Sequence, residues 1–105
     1  MRVVWAERAR QEWAAQYRFY FARNPDVARR FRAAVMAGAR RLGDHSGLGR
    51  PGRVVGSREL VIAGTPFLIV YDANPARVEI LHIYDGRQDW QPPDKDAARD
   101  EDSGH

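Results

Sequence analysis

The residues with the most obvious chemical potential are arginines, a histidine and aromatic residues in the second half of the chain. They are Arg50, Arg53, Arg58, His82, Tyr84 and Arg87. Guanidinium groups can hold a phosphodiester and stabilise charge that develops on it, and a histidine or carboxylate can move a proton. Tyr84 or Trp90 could stack on a base. The set indicates an anionic partner, either nucleic acid or an acidic protein.

Each of these residues also has an ordinary structural explanation. Arg58 could pair with a carboxylate such as Glu79, and His82 could be a half-buried residue of a sheet. Because several of the residues fall at one end of the predicted sheet, we favour a site.

Other chemistries have little support in the sequence. The histidines His45, His82 and His105 have no metal-ligand spacing. No serine lies in a nucleophile-elbow context, and no glycine loop has the spacing of a phosphate loop. The sequence therefore predicts neither a metal nor a cofactor.

Three apolar runs between Arg58 and Trp90 predict the strands that carry the candidate residues. The runs are RELVI, FLIVY and VEILHIY, separated by AGTP and ANPA, which supply the glycine and proline that turns need. They predict a three-stranded antiparallel meander. On its last strand we expect Leu81 and Ile83 to face the helices, and the other face to hold Val78, Ile80, His82 and Tyr84.

The first half of the chain predicts the cover for this sheet. Residues 2–5 (RVVW) indicate a strand, and residues 6–23 have the apolar spacing of a helix. Asn24, Pro25 and Asp26 break that helix and begin a second one. The glycine-rich loop 44–56 follows, with a short strand expected at 53–55. The predicted fold is α+β: an N-terminal strand, a helical hairpin and then the meander.

Length and composition predict one domain in a reducing compartment. The chain has 105 residues, 44% of them apolar, and no cysteine. It has neither a secretory leader nor a run long enough to span a membrane. We therefore expect a cytoplasmic protein without a membrane partner.

Charge divides the chain unevenly. Residues 1–90 hold 15 arginines and 9 acidic residues, a net charge of +6, whereas residues 91–105 hold five acids and two bases. The tail begins with Pro92-Pro93 and has no apolar residue larger than alanine, so we expect a disordered acidic tail after a single domain at 1–90. A codon bias towards arginine would explain the scarcity of lysine but not the positive body.

Three blocks, in their order and spacing, resemble the RelE/ParE superfamily of toxins from bacterial type II toxin–antitoxin modules. They are GRPGRVVGSREL at 49–60, TPFLIVY at 65–71 and VEILHIYDGRQDW at 78–90. The resemblance covers residues 1–90. The helices, the Asn-Pro link and the glycine–arginine loop are more similar to ParE-like members, although Asp85 stands where many of those chains carry a histidine.

The resemblance implies a toxin with a cognate acidic antitoxin. A ParE-like member would poison DNA gyrase, with Arg50, Arg53, Tyr84, Asp85 and Trp90 as residues for contact with the target. A RelE-like member would instead cleave mRNA on the ribosome, with Arg58, His82 and Arg87 as catalytic residues. A plain nucleic-acid-binding module would explain the arginines but not the three blocks. The oligomeric state stays open, a homodimer included.

Overall fold

The structure, a computed structural model, describes residues 1–87. Trp90 and the predicted tail 91–105 lie outside the described residues. The elements, in chain order, are β1 (Arg2–Trp5), α1 (Glu7–Arg23), α2 (Pro25–Asp44), β2 (Arg50–Pro51), β3 (Arg58–Val61), β4 (Phe67–Ala73) and β5 (Arg77–Asp85).

The strands form one sheet in the order β1-β5-β4-β3-β2. Strands β3, β4 and β5 pair antiparallel, as the predicted meander requires, and β1 pairs parallel to β5. The prediction of an α+β fold is therefore confirmed. The prediction of a short strand at 53–55 is wrong. The strand in this loop is Arg50–Pro51, which pairs with Arg58 and Glu59, and residues 53–56 form a bend and a turn that lead back to β3.

Local side-chain chemistry sets the link between the helices and the turn between β4 and β5. The Asn24 side chain accepts a hydrogen bond from the Val27 backbone N–H, and Pro25 occupies the first turn of α2, as expected for a helix start. Between β4 and β5, the Asn74 side chain accepts from the N–H groups of Ala76 and Arg77. These short connections keep consecutive elements adjacent.

The core lies between the helical hairpin and one face of the sheet. Its centre is Phe67 of β4, whose ring makes edge contacts with Trp13 and Tyr20 of α1 and Phe31 of α2, at centroid distances of 5.2, 5.6 and 5.5 Å. Edge-to-face pairs of this kind contribute ~0.5–1.5 kcal/mol each beyond burial. One residue of the sheet thus fixes both helices.

A β-bulge corrects the predicted faces of β5. Val70 pairs with His82, whereas the next residue, Tyr71, pairs with Ile80, so Leu81 is the extra residue. Such an insertion reverses the alternation of faces beyond it. Val78, Ile80 and Ile83 therefore all belong to the core against the helices, and Leu81 borders a small cleft with Val54 and Asp72 on the other face. The prediction is wrong for Val78, Ile80 and Leu81.

Candidate functional site

A buried carboxylate organises the arginines of the loop before β3. Glu59 has a side chain only 1% exposed, and it pairs with Arg50 at 3.3 Å and Arg53 at 3.7 Å. It also accepts a hydrogen bond from the Arg53 backbone N–H at 3.0 Å. A buried charge is tolerated only when it is paired and hydrogen-bonded. Glu59 therefore fixes the positions of both arginine side chains next to β3.

Arg58 lies on the opposite face of the sheet from its neighbour Glu59. It pairs across the sheet with Tyr71, which belongs to the core, and its guanidinium donates to the Gly49 carbonyl at 2.8 Å. Gly49 also donates its N–H to the Tyr71 hydroxyl. A Cβ at Gly49 would lie 2.7 Å from the Glu59 carbonyl oxygen, so only glycine fits there. Arg58 thus holds the loop, and Glu79 pairs with Arg77 instead.

Three polar residues at four-residue intervals, Glu12, Gln16 and Tyr20, form a polar stripe along α1. The stripe faces the part of β5 that has no neighbouring strand on the β1 side, because β1 pairs only with residues 77–80. Glu12 accepts from the Ile83 N–H at 3.1 Å, and Gln16 donates to the Ile83 carbonyl at 2.7 Å. Both backbone groups of Ile83 are therefore satisfied by the helix. We call this stretch the sealed edge.

Glu12 also contacts the predicted histidine. Its carboxylate lies 3.2 Å from Nδ1 of His82, and the His82 ring stacks on Tyr84 with centroids 4.9 Å apart. A carboxylate beside Nδ1 fixes the orientation of an imidazole. His82 is half-buried in the sheet, as the structural explanation expects, and it also belongs to an acid–base pair.

Asp85 and Arg87 close the far end of β5 against α1. The buried Asp85 carboxylate accepts from the Tyr20 hydroxyl at 2.7 Å, from the Arg87 N–H at 2.9 Å, and from the Arg87 guanidinium at 3.0 and 3.3 Å. Arg87 also donates to the Tyr20 hydroxyl. The side chain of Arg87 is nonetheless 66% exposed, so a fixed cation is presented at the surface.

Two concave surfaces flank these clusters. The first, the C-terminal cleft, has a volume of about 400 Å³ and is lined by Ala15, Gln16, Phe19, Tyr20, Asp85 and Arg87. The second, the β1–α2 groove, has a volume of about 850 Å³ and is lined by residues of β1 and α2, among them Met1, Val3, Trp5, Met36, Arg32 and Arg40. Val3 and Trp5 pair with core residues of β5, so this groove lies on the helix face beside β1. We call the side of β1 away from β5 the open edge, because β1 has only β5 as a neighbour among the described strands.

The structure divides the predicted site between the two faces of the sheet. Directly paired residues share a face, so Glu59, Val70 and His82 lie together on the open face. Arg50 and Arg53 lie at that face because they pair with Glu59. Tyr84 lies there too, because its ring stacks on His82. Arg58 and Asp85 pair with core residues on the helix face, at opposite ends of β4. Four residue steps, about 13 Å, separate these ends.

Sequence reasoning missed the residues that connect these groups. Glu12, Gln16 and Tyr20 had a signal, since polar side chains four residues apart share one helix face. That signal predicts a polar contact but not its partner. Glu59 had a weaker signal, as an acid between the apolar residues of RELVI.

Among residues 1–87, no group of histidine, aspartate and glutamate is arranged to hold a metal ion. Within the same residues, no helix is both long and apolar enough to cross a membrane.

The helical hairpin packed on one face of a five-stranded sheet defines a small α+β protein. Residues 3–90 match the family described as the ParE toxin of the type II toxin–antitoxin system parDE. A relative from Sinorhizobium fredii (strain NBRC 101917 / NGR234), named as a candidate toxin, Y4kP, is 33% identical over 89 residues, which are 85% of this chain and 92% of the relative.

A solved structure gives the same result. A chain from the structure titled "Chromosomal ParDE TA system from P. aeruginosa" superposes with a TM-score of 0.70 and 26% identity, over 79% of this chain and 92% of that one. The protein described here belongs to the ParE toxin family of type II toxin–antitoxin systems. Membership implies an antitoxin partner.

Proposed function

We propose that this toxin inhibits growth by poisoning DNA gyrase, and that it acts in the cytoplasm, where gyrase works. The observation that carries the proposal is the division of the expected nuclease residues. His82 lies on the open face, whereas Arg58 holds Gly49 on the other face and Arg87 is held by Asp85. A phosphodiester could not contact all three at once. Membership of the ParE family supports gyrase as the target.

One observation favours ribosome-dependent mRNA cleavage as the second candidate. The Glu12–His82 pair shares the open face with Glu59, which holds Arg50 and Arg53. His82 and Glu59 are separated by one intervening strand, a backbone distance of about 10 Å. A proton-transfer group and cations therefore lie on one surface, with Arg50 and Arg53 beside His82 in place of Arg58 and Arg87. A plain nucleic-acid-binding module explains the arginine excess and leaves family membership unexplained.

The test compares the two targets directly. Purified full-length toxin should block supercoiling by gyrase and trap cleaved DNA, and it should leave ribosome-bound mRNA intact. His82→Ala should leave the effect on gyrase unchanged, because no step of it needs the Glu12–His82 pair. Codon-specific cuts in mRNA without any effect on gyrase would reject the proposal, and loss of those cuts in His82→Ala would establish the second candidate.

We further propose that the cognate antitoxin is acidic and lies along the β1–α2 groove. The groove has an apolar floor that includes Val3, Trp5 and Met36, with Arg32 and Arg40 beside it. Residues 7–44, the two helices, hold nine arginines and four acids, a net charge of +5. An amphipathic, negatively charged segment is complementary to this surface. It can also pair with the unpaired backbone of the open edge.

A further inference from the structure

The C-terminal cleft is an exposed surface with unusually well-fixed side chains. Phe19 is 49% exposed, yet its ring packs edge-on against Tyr20 with centroids 5.1 Å apart. The Arg23 guanidinium carbon lies 3.5 Å from the centre of the Phe19 ring, and Arg23 also donates to the Phe19 carbonyl. Large side chains that are exposed but already ordered lose little entropy on binding. Aromatic residues and arginine are also the types enriched among residues that dominate binding.

The charge of the cleft favours an acidic partner. Among residues 1–87, Asp85 is the only acid that lines it, and the hydrogen bonds from Tyr20 and Arg87 already occupy that carboxylate. Of the described residues, Arg87 at the rim and Arg23 over Phe19 outweigh Asp85, so this part of the surface is net positive. A partner that places a carboxylate beside an apolar side chain would contact the exposed part of the Arg87 guanidinium and cover Phe19 together.

The backbone beside the cleft limits how a partner can bind. At the sealed edge, Glu12 and Gln16 already bond the N–H and carbonyl of Ile83. A segment cannot add to the sheet there as a new strand, because those backbone groups are taken. The partner must be recognised through side chains alone, which suits a surface that is folded before it binds. The β1–α2 groove offers the opposite, because β1 beside it has an open edge.

From these observations we infer that the C-terminal cleft is the contact surface for the toxin's folded protein target, separate from the antitoxin groove. The partner chemistry is an acidic protein surface with an apolar side chain next to a carboxylate. This inference rests on the proposed function, in which the target is gyrase. A nucleic acid fits less well, because Arg23 covers the Phe19 face nearest to it at 3.5 Å, where a base would otherwise stack.

The test measures two affinities for the same full-length variants. Phe19→Ala and Arg87→Ala should each raise the toxin concentration needed for half-inhibition of gyrase about tenfold or more, as expected for a central interface residue. Their affinity for the antitoxin should stay within about twofold of wild type, the usual scatter for a residue outside the interface. Phe21→Ala is the matched control, since Phe21 is a phenylalanine of the same helix with 39% exposure that lies outside the cleft lining.

Each outcome bears on a different statement. If the wild-type toxin inhibits gyrase and both cleft variants inhibit it equally well, the inference is wrong and the proposed function stands. If the cleft variants lose affinity for the antitoxin instead, the C-terminal cleft binds the antitoxin and not the target, and the inference is wrong. If they lose affinity for DNA in the absence of gyrase, the cleft is a nucleic-acid site. A wild-type toxin without effect on gyrase would overturn the proposed function and the inference with it.

Discussion

The open edge of β1 and the sealed edge of β5 both lack a neighbouring strand, but only the sealed edge has side chains that bond its backbone. Both are strand edges whose backbone groups lack a neighbouring strand. At β5, α1 supplies side chains in place of a strand, so Ile83 is satisfied inside the monomer. At β1 (Arg2–Trp5), no described side chain bonds the strand backbone in this way, although the Met1 ammonium just before it donates to the Gly43 carbonyl of α2. An unpaired edge can pair with a strand of another chain. We propose that the antitoxin supplies this strand.

The contrast is consistent with our proposal that one small domain contacts two protein partners. An unpaired strand with an apolar groove beside it suits a segment that becomes ordered on binding. A sealed strand beside fixed side chains suits a partner that is already folded.

Opening the sealed edge should have the largest effect on stability. Glu12→Ala removes the acceptor for the Ile83 N–H and the partner of His82, so it should lower the free energy of unfolding by about 2–3 kcal/mol. Urea denaturation measures this difference. Glu7→Ala, which removes an exposed acid in the first turn of the same helix, should cost less than about 0.5 kcal/mol.

The double variant Glu12→Ala/Gln16→Ala extends this test. It leaves both backbone groups of Ile83 without their helix partners and should create a second open edge. We expect concentration-dependent self-association in sedimentation experiments, because exposed strand edges pair with other chains. A double variant as stable and as monodisperse as wild type would show that Glu12 and Gln16 do not protect the β5 edge.

Reversing charge beside the open edge should have the next largest effect. Arg32→Glu/Arg40→Glu should slow association with the antitoxin about tenfold or more at low salt, since charge steers encounter. Stopped-flow mixing at low and high salt measures this rate, and the difference should shrink as salt screens the charges. Arg8→Glu/Arg10→Glu changes net charge equally on α1, outside the groove lining, and should slow association much less. Equal slowing in both variants would mean that net charge, rather than the groove, guides the antitoxin.

The sequence predicted the scaffold more completely than the site, for a physical reason. Helices, turns and strands follow from local patterns, such as Asn24-Pro25-Asp26 and the run FLIVY. The bulge at Leu81 has no comparable local signal, and it reversed the expected faces of Val78 and Ile80. A single inserted residue is enough, because the side-chain period of a strand is two.

The candidate site depended on contacts between distant residues. Glu12 and His82 are 70 positions apart, and Tyr20 and Asp85 are 65 apart. Composition predicted a role for the arginines, but only the fold shows that Glu59 holds two of them and Asp85 another. Those acids decide which guanidinium groups share a surface, and they were absent from the predicted set apart from Asp85.

The smallest effect should come from removing the acidic tail. Truncation after Trp90 deletes residues 91–105, which hold five acids, two bases and no apolar residue larger than alanine. Because so little apolar surface is lost, the melting temperature should change by less than about 2 °C, and the rate of antitoxin association by less than about twofold. Differential scanning calorimetry and stopped-flow mixing measure the two quantities. A truncated toxin that binds its antitoxin several times faster at low salt would mean that the tail competes for the open edge. In that case β1 would also be covered within the monomer, and the two edges would differ in degree rather than in kind.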